Sequence, residues 1–191
     1  MKVLIIPEDP TNDQHILKPI VERIFADLKR SAQVFVLQDP HLTGVQDALD
    51  PEVIGDIIRD NPMIDLFLLM VDRDCDRLRN TTKAEARAVE QPSLIHCLAV
   101  EEVEVWMLAL HREALDTAWQ TIRSHCDPKE EYADPFLAAK EWDGGVGRGR
   151  KAAMRELGQR WKGLLKVCPE IAELKTRIRD QLDSTAADRD A

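Results

Sequence analysis

The chain has 191 residues, 44% of them hydrophobic and 32% charged, which suffices for a buried core and excludes wholesale disorder. Its 26 Lys and Arg against 35 Asp and Glu give a formal charge of −9, which argues against a non-specific nucleic-acid coat but leaves room for a local basic groove. Cys75, Cys97, Cys126 and Cys168 lie far apart with no C-x-x-C, a pattern that speaks against a zinc ribbon and for a reducing compartment; a chain of this size needs no disulfide to stay folded.

Val3 to Ile6 is a short, continuous apolar run, as in a strand buried on both faces. It is too short for a signal peptide, and no later stretch spans a bilayer, so a cytoplasmic protein without a membrane partner is expected. From Asp13 to Lys29 the apolar residues recur at helical spacing, with Thr11, Asn12 or Asp13 as caps. Val34 to Leu37 predicts a second strand, and Val53 to Ile58 a short helix ending before Pro62.

Ile64 to Val71 is the strongest strand in the chain and should lie mid-sheet. It stops abruptly in Asp72-Arg73-Asp74-Cys75-Asp76. A charged helix to Glu90 and a strand from Leu94 to Val100 follow. This alternation predicts an α/β fold with a parallel, doubly wound sheet of about four strands. Beyond Glu101 only helical patterns remain, at Val103 to Leu110, Pro135 to Trp142, Lys151 to Lys166 and Pro169 to Leu182, with a glycine loop at Gly144 to Gly147. The expected organisation is a core over 1–110, a helical extension over 111–183 packing on it, and a flexible tail over 184–191.

Ligands of an open parallel sheet bind at the carboxyl ends of its strands, and three acidic groups fall there. Glu8 and Asp9 follow the first strand, Asp72, Asp74 and Asp76 the third, and Glu101, Glu102 and Glu104 the fourth. Were the third strand to continue through the D-x-D, Asp72 and Asp74 would point to one side, where two carboxylates repel unless a cation lies between them. Hard oxygen ligands suit magnesium or manganese. Glu102 and Glu104 share a face if the fourth strand continues; Glu101 and Glu104 do so if a helix has begun. The plainer reading of such residues is as helix caps, stabilised by the helix dipole.

Between Arg148 and Lys166 seven basic residues stand against one acid, a local charge of +6. On one continuous helix Arg148, Lys151, Arg155, Lys162 and Lys166 fall in a single arc, either a solvated face or, with Arg150 and the glycine loop, a phosphate-binding surface.

Glu8 after one strand, Asp72-Arg73-Asp74 after another and acids after the next resemble the Toprim fold of topoisomerases, bacterial primases and the overcoming-lysogenization-defect (OLD) nucleases. The segments IPEDPTNDQHILKPIVERI, LFLLMVDRDCD, AVEEVEVWML and GRGRK resemble a small stand-alone Toprim-like bacterial family. The Toprim resemblance covers roughly Met1 to Leu110. It implies Glu8, Asp72 and Asp74 as catalytic metal ligands, with Asp76, Glu102 and Glu104 as further acids, Glu104 supporting a second metal. Lys151 or Arg150 would be the late basic residue, and Arg148, Arg150, Lys151, Arg155 and Lys162 would contact nucleic acid. In place of the glycine usual after the first glutamate stands Asp9-Pro10. Tyr132, the sole tyrosine, and the absence of a zinc module argue against a topoisomerase or a primase.

The implied activity is a Mg²⁺- or Mn²⁺-dependent nuclease acting on DNA or RNA in phage defence. The rival readings are a non-catalytic effector working with an ATPase partner and a nucleotide-binding α/β protein.

Overall fold

A computed structural model describes residues 1–189, with side chains to Ser184 in the closing helix. Four parallel strands form one sheet: β1 (Lys2–Ile6), β2 (Gln33–Val36), β3 (Leu66–Asp72) and β4 (Leu94–Ala99), in the order β2-β1-β3-β4. The continuous apolar runs are explained at once. All seven residues of β3 are buried, because helices cover both faces of the sheet.

Alternate residues feed two cores. Val3, Ile5, Leu66, Leu68 and Met70 point to one face, packed by α1 (Gln14–Asp27), α5 (Glu104–Ala109), α9 (Leu157–Val167) and α10 (Pro169–Arg189). Leu4, Ile6, Phe67, Leu69 and Val71 point to the other, under α2 (Val45–Ala48), α3 (Pro51–Asp60) and α4 (Arg77–Glu90). Each buried Leu or Ile contributes about 1.5–3 kcal/mol, so the sheet register is strongly specified. Pro51 opens α3, and the Asp50 carboxylate caps it by accepting the amides of Glu52 and Val53.

The strand order positions the site. From β1 the chain turns outward to β2, then crosses back to lay β3 on the other side of β1, so the chain changes direction between β1 and β3. That is where a doubly wound sheet opens its ligand crevice. Ile6 pairs with Leu69, which brings the loop after β1 beside the end of β3.

Three expectations change. The basic helix from Lys151 to Lys166 is two helices, α8 (Arg150–Ala153) and α9, separated by a 3-10 turn over Met154–Glu156. A 3-10 turn advances further per residue than an α-helix, so the arc of Arg148, Lys151, Arg155, Lys162 and Lys166 is not one stripe. Cys75 and Cys126 form a disulfide, while Cys97 and Cys168 are free and buried; the cysteine spacing alone gave no sign of that bond. Helix α10 runs to Arg189, through the stretch expected as a tail from Ser184, whose last two positions lie outside the described residues. No helix among the described residues is long and apolar enough to cross a membrane.

Candidate functional site

The β1–α1 loop delivers Glu8. Its shape comes from Asp9, whose carboxylate accepts the Thr11 amide at 2.8 Å, the Asn12 amide at 3.2 Å and the Asn12 side-chain amide at 2.8 Å. Burial pushes the Asp9 carboxyl up, but these bonds outweigh it and hold it below its ordinary value. This Asx turn fixes the course of the loop. It swings Asp13 inward, where Asp13 accepts the Asp9 amide at 3.2 Å instead of capping α1.

Asp72 closes β3 and is only 8% exposed, with its Oδ1 taking the Val103 amide at 2.8 Å. The charge of Glu8 acts on Asp72 across the β1–β3 crevice. Burial and then the charge of Asp74 raise Glu8 to about 7, and one Glu8 oxygen is buried with no partner. Asp72 is raised well above its ordinary value by burial, then by Glu8, Glu104 and Asp13. Asp13, 5% exposed, reaches about 8 through burial and then the charge of Glu104. Glu8, Asp72 and Asp13 thus form a cluster of acids whose burial and mutual repulsion favour their protonated forms, with the charge of Glu104 in range.

Asp74 does not continue the strand. Asp74 and Cys75 take left-handed backbone at φ 53° and 50°, so the D-x-D is a turn and its two carboxylates do not share a strand face. Asp74 is exposed, and burial of its inner part followed by the charge of Glu101 raises it. Asp76 stands apart on the surface at 3.6 Å from Arg79.

Glu101 is an internal clamp on this turn. It is 0% exposed and accepts from Arg73 Nε at 3.0 Å and Nη2 at 2.5 Å, from Arg77 Nε at 3.0 Å and from the Cys75 amide at 3.0 Å. Burial raises its carboxyl, and the Arg73 bond and charge, the Cys75 amide and Arg77 bring it below the ordinary value. The Cys75–Cys126 bond ties the same turn to the segment after α6 (Trp119–Ser124).

Glu104 opens α5 in the interior, where Arg150 meets its Oε1 through Nε at 3.0 Å and Nη2 at 2.5 Å. Arg150 is itself 0% exposed and also lies 3.7 Å from Asp134, so it is the counter-ion of Glu104 and not an outward phosphate ligand. Gly147 at φ 62° passes so close to the His15 ring that a Cβ there would overlap it, which seats the glycine loop on the start of α1. Lys151 is exposed, and its charge, after burial and together with Arg150, holds His15 below its ordinary value. Arg148, Arg155 and Lys162 are exposed and are not gathered at the carboxylates.

Two residues here were not among the sequence candidates. Asp13 passed as a helix cap. Lys129 begins a π-helical turn over Lys129–Ala133, its amide donating to Glu102 at 2.7 Å and its ammonium facing Glu104 and Glu130. Burial, followed by Glu104 and Glu130, raises Glu102 to about 7 despite the Lys129 amide. A π-turn is a common mark of a functional site, but no local sequence pattern announces it.

Comparisons with known families, curated proteins and solved structures find no match. The site therefore rests on its own chemistry. Among the described residues no three His, Cys, Asp or Glu side chains form a group able to hold a metal ion by themselves. Magnesium seldom needs one: it takes one or two carboxylates and completes its shell with water and substrate phosphate oxygens. Glu8 and Asp72, with the orphaned Glu8 oxygen, fit that requirement in charge and donor type.

Proposed function

We propose that the chain is a Toprim-like, Mg²⁺- or Mn²⁺-dependent phosphodiesterase acting on nucleic acid. The observation that carries this reading is the half-buried Glu8 and buried Asp72 at the β1–β3 crevice, with one Glu8 oxygen buried and unpartnered. Such a pair is costly as two anions and becomes favourable when a divalent cation displaces the proton.

Glu8 and Asp72 would hold the cation, with Asp74 reaching the rim from its turn. A bound cation supplies Lewis-acid charge to a phosphate oxygen and lowers the pKa of water. The chain's own groups do the rest. Val103 fixes the Asp72 carboxylate through its amide, and Arg150 neutralises Glu104 so that the interior tolerates a further acid. Lys129, between Glu102 and Glu104, supplies positive charge toward a phosphate that gains negative charge in the transition state. Lys129 takes this role from Lys151 because Lys129 faces the carboxylates.

The test is direct. The purified chain with Mn²⁺ should cleave single- or double-stranded nucleic acid, and Glu8→Gln or Asp72→Asn should lower the rate by at least about 100-fold. Asn at position 72 keeps an oxygen for the Val103 amide, so the variant folds. Undiminished cleavage by folded Asp72→Asn would sink the proposal.

A further inference from the structure

A cleft borders the Asp72-to-Asp76 turn at Arg73. The cleft, of about 470 Å³, is lined by Arg73, Arg77, Trp119, Gln120, Arg123 and Lys166, over a floor that includes Val100 and Pro169. Its volume falls in the range of small-ligand pockets, about 300–1,000 Å³.

Its charge is unlike that of the chain. Four cations line it, and the acids bonded to them are two, Glu101 on Arg73 and Arg77 and Glu170 on Arg123. The cleft is therefore net positive by two in a protein whose total is −9. The two carboxylates also fix the guanidinium groups in place: Glu101 engages Nε and Nη2 of both Arg73 and Arg77, and Glu170 takes Nη1 at 2.6 Å and Nη2 at 3.1 Å of Arg123. Arg73 and Arg77 each keep a terminal nitrogen outside those bonds. Lys166 is exposed and makes no ion pair among the described residues. Beside them the half-buried Trp119 offers an indole wall, and Gln120 brings an amide with both donor and acceptor.

Preoriented cations next to an aromatic ring and an amide suit a ligand that is anionic at one end and flat and polar at the other. We propose that this cleft binds a nucleotide unit, its phosphate on Arg73, Arg77 and Lys166 and its base against Trp119. Such stacking platforms bind bases of any sequence. The unit is supplied by a single strand or by a free nucleotide. Arg73 stands between Asp72 and Asp74 in the chain, so a strand seated here continues toward the carboxylates. Only that last clause rests on the proposed function; occupation of the cleft does not depend on hydrolysis.

Binding is measured in EDTA, which prevents cation-dependent cleavage, by the anisotropy of a fluorescein-labelled ten-residue oligothymidylate and by calorimetry with AMP. Trp119→Ala should weaken binding about fivefold or more, and Lys166→Glu about tenfold, whereas Arg59→Glu, an equal charge change on α3, should not. Lys166 is exposed, so its variant folds even if Trp119→Ala does not. A strand that binds at least tenfold tighter than AMP identifies the source as nucleic acid, and AMP binding without the strand identifies a free nucleotide. Absence of binding to both overturns the proposal, as does equal binding by wild type and Lys166→Glu. Cleavage, assayed separately with Mn²⁺, reports on the carboxylates alone, so a protein that binds through this cleft and does not cut retains this inference and loses the nuclease.

Discussion

Replacing Asp13 by asparagine should stabilise the metal-free protein modestly at pH 5 and strongly at pH 9. Burial, then the charges of Glu104, Asp9 and Glu8, lift this carboxyl from 3.8 to about 8. A carboxyl raised by folding binds more protons folded than unfolded. Its contribution is therefore fully present below about pH 4 and lost as the pH climbs through 8. At about 1.4 kcal/mol per pH unit the loss reaches about 6 kcal/mol if Asp13 bears it alone. Glu8 and Glu104 share the same repulsion, so about half, about 3 kcal/mol, is the gain expected for Asp13→Asn at pH 9. In a chain of this length that corresponds to a rise in Tm of about 6–12 °C. The asparagine oxygen still accepts the Asp9 amide, so the loop is retained. Urea unfolding of both proteins in EDTA at pH 5, 7 and 9 measures the effect. A stability difference that stays constant across the three would refute the reasoning, because only an ionising carboxyl makes it pH-dependent.

Glu8 sits at about 7, Asp72 is raised well above its ordinary value, and a cation needs carboxylates free of protons. Mn²⁺ affinity by calorimetry should thus climb about tenfold per pH unit for each proton displaced as the pH rises toward 7; a flat profile contradicts proton displacement. Glu104→Gln strands Arg150 in the interior and should cost about 3–5 kcal/mol in urea melts, while Glu104→Leu with Arg150→Met should cost much less. If the two variants lose the same amount, the pair is not acting as ion and counter-ion. Reducing Cys75–Cys126, which are 51 residues apart, should lower stability by about 4 kcal/mol through release of loop entropy in the unfolded chain. A loss below about 1 kcal/mol in dithiothreitol melts would contradict that estimate.

The elements of the sheet were readable because the interior strands β1 and β3 are covered on both faces and are built from unbroken apolar runs. The positions of Glu8 and Asp72 followed from the same runs, each lying just past or at a strand end. The partners of the acids were not readable. Arg150 belongs by sequence to a basic segment, and its burial depends on Glu104, 46 residues away. Asp74 read as strand because period-two spacing carries no mark of a left-handed turn, which Glu101 imposes through the Arg73 and Asp74 amides. Asp13 looked like a cap since an acid before a helix serves equally well there; its inward turn depends on Asp9. Helix α9 looked continuous with α8, as nothing between Ala153 and Leu157 breaks helical periodicity.

The arrangement around Glu101 limits how this protein can diverge. Arg73, Arg77 and the Cys75 amide converge on one anion without access to water, so Glu101 and the mostly buried Arg73 cannot be exchanged alone without one stranding the other. Divergent copies of this gene should therefore keep Arg73 and Glu101 together or replace them together, and the aspartates on that turn should travel with the pair.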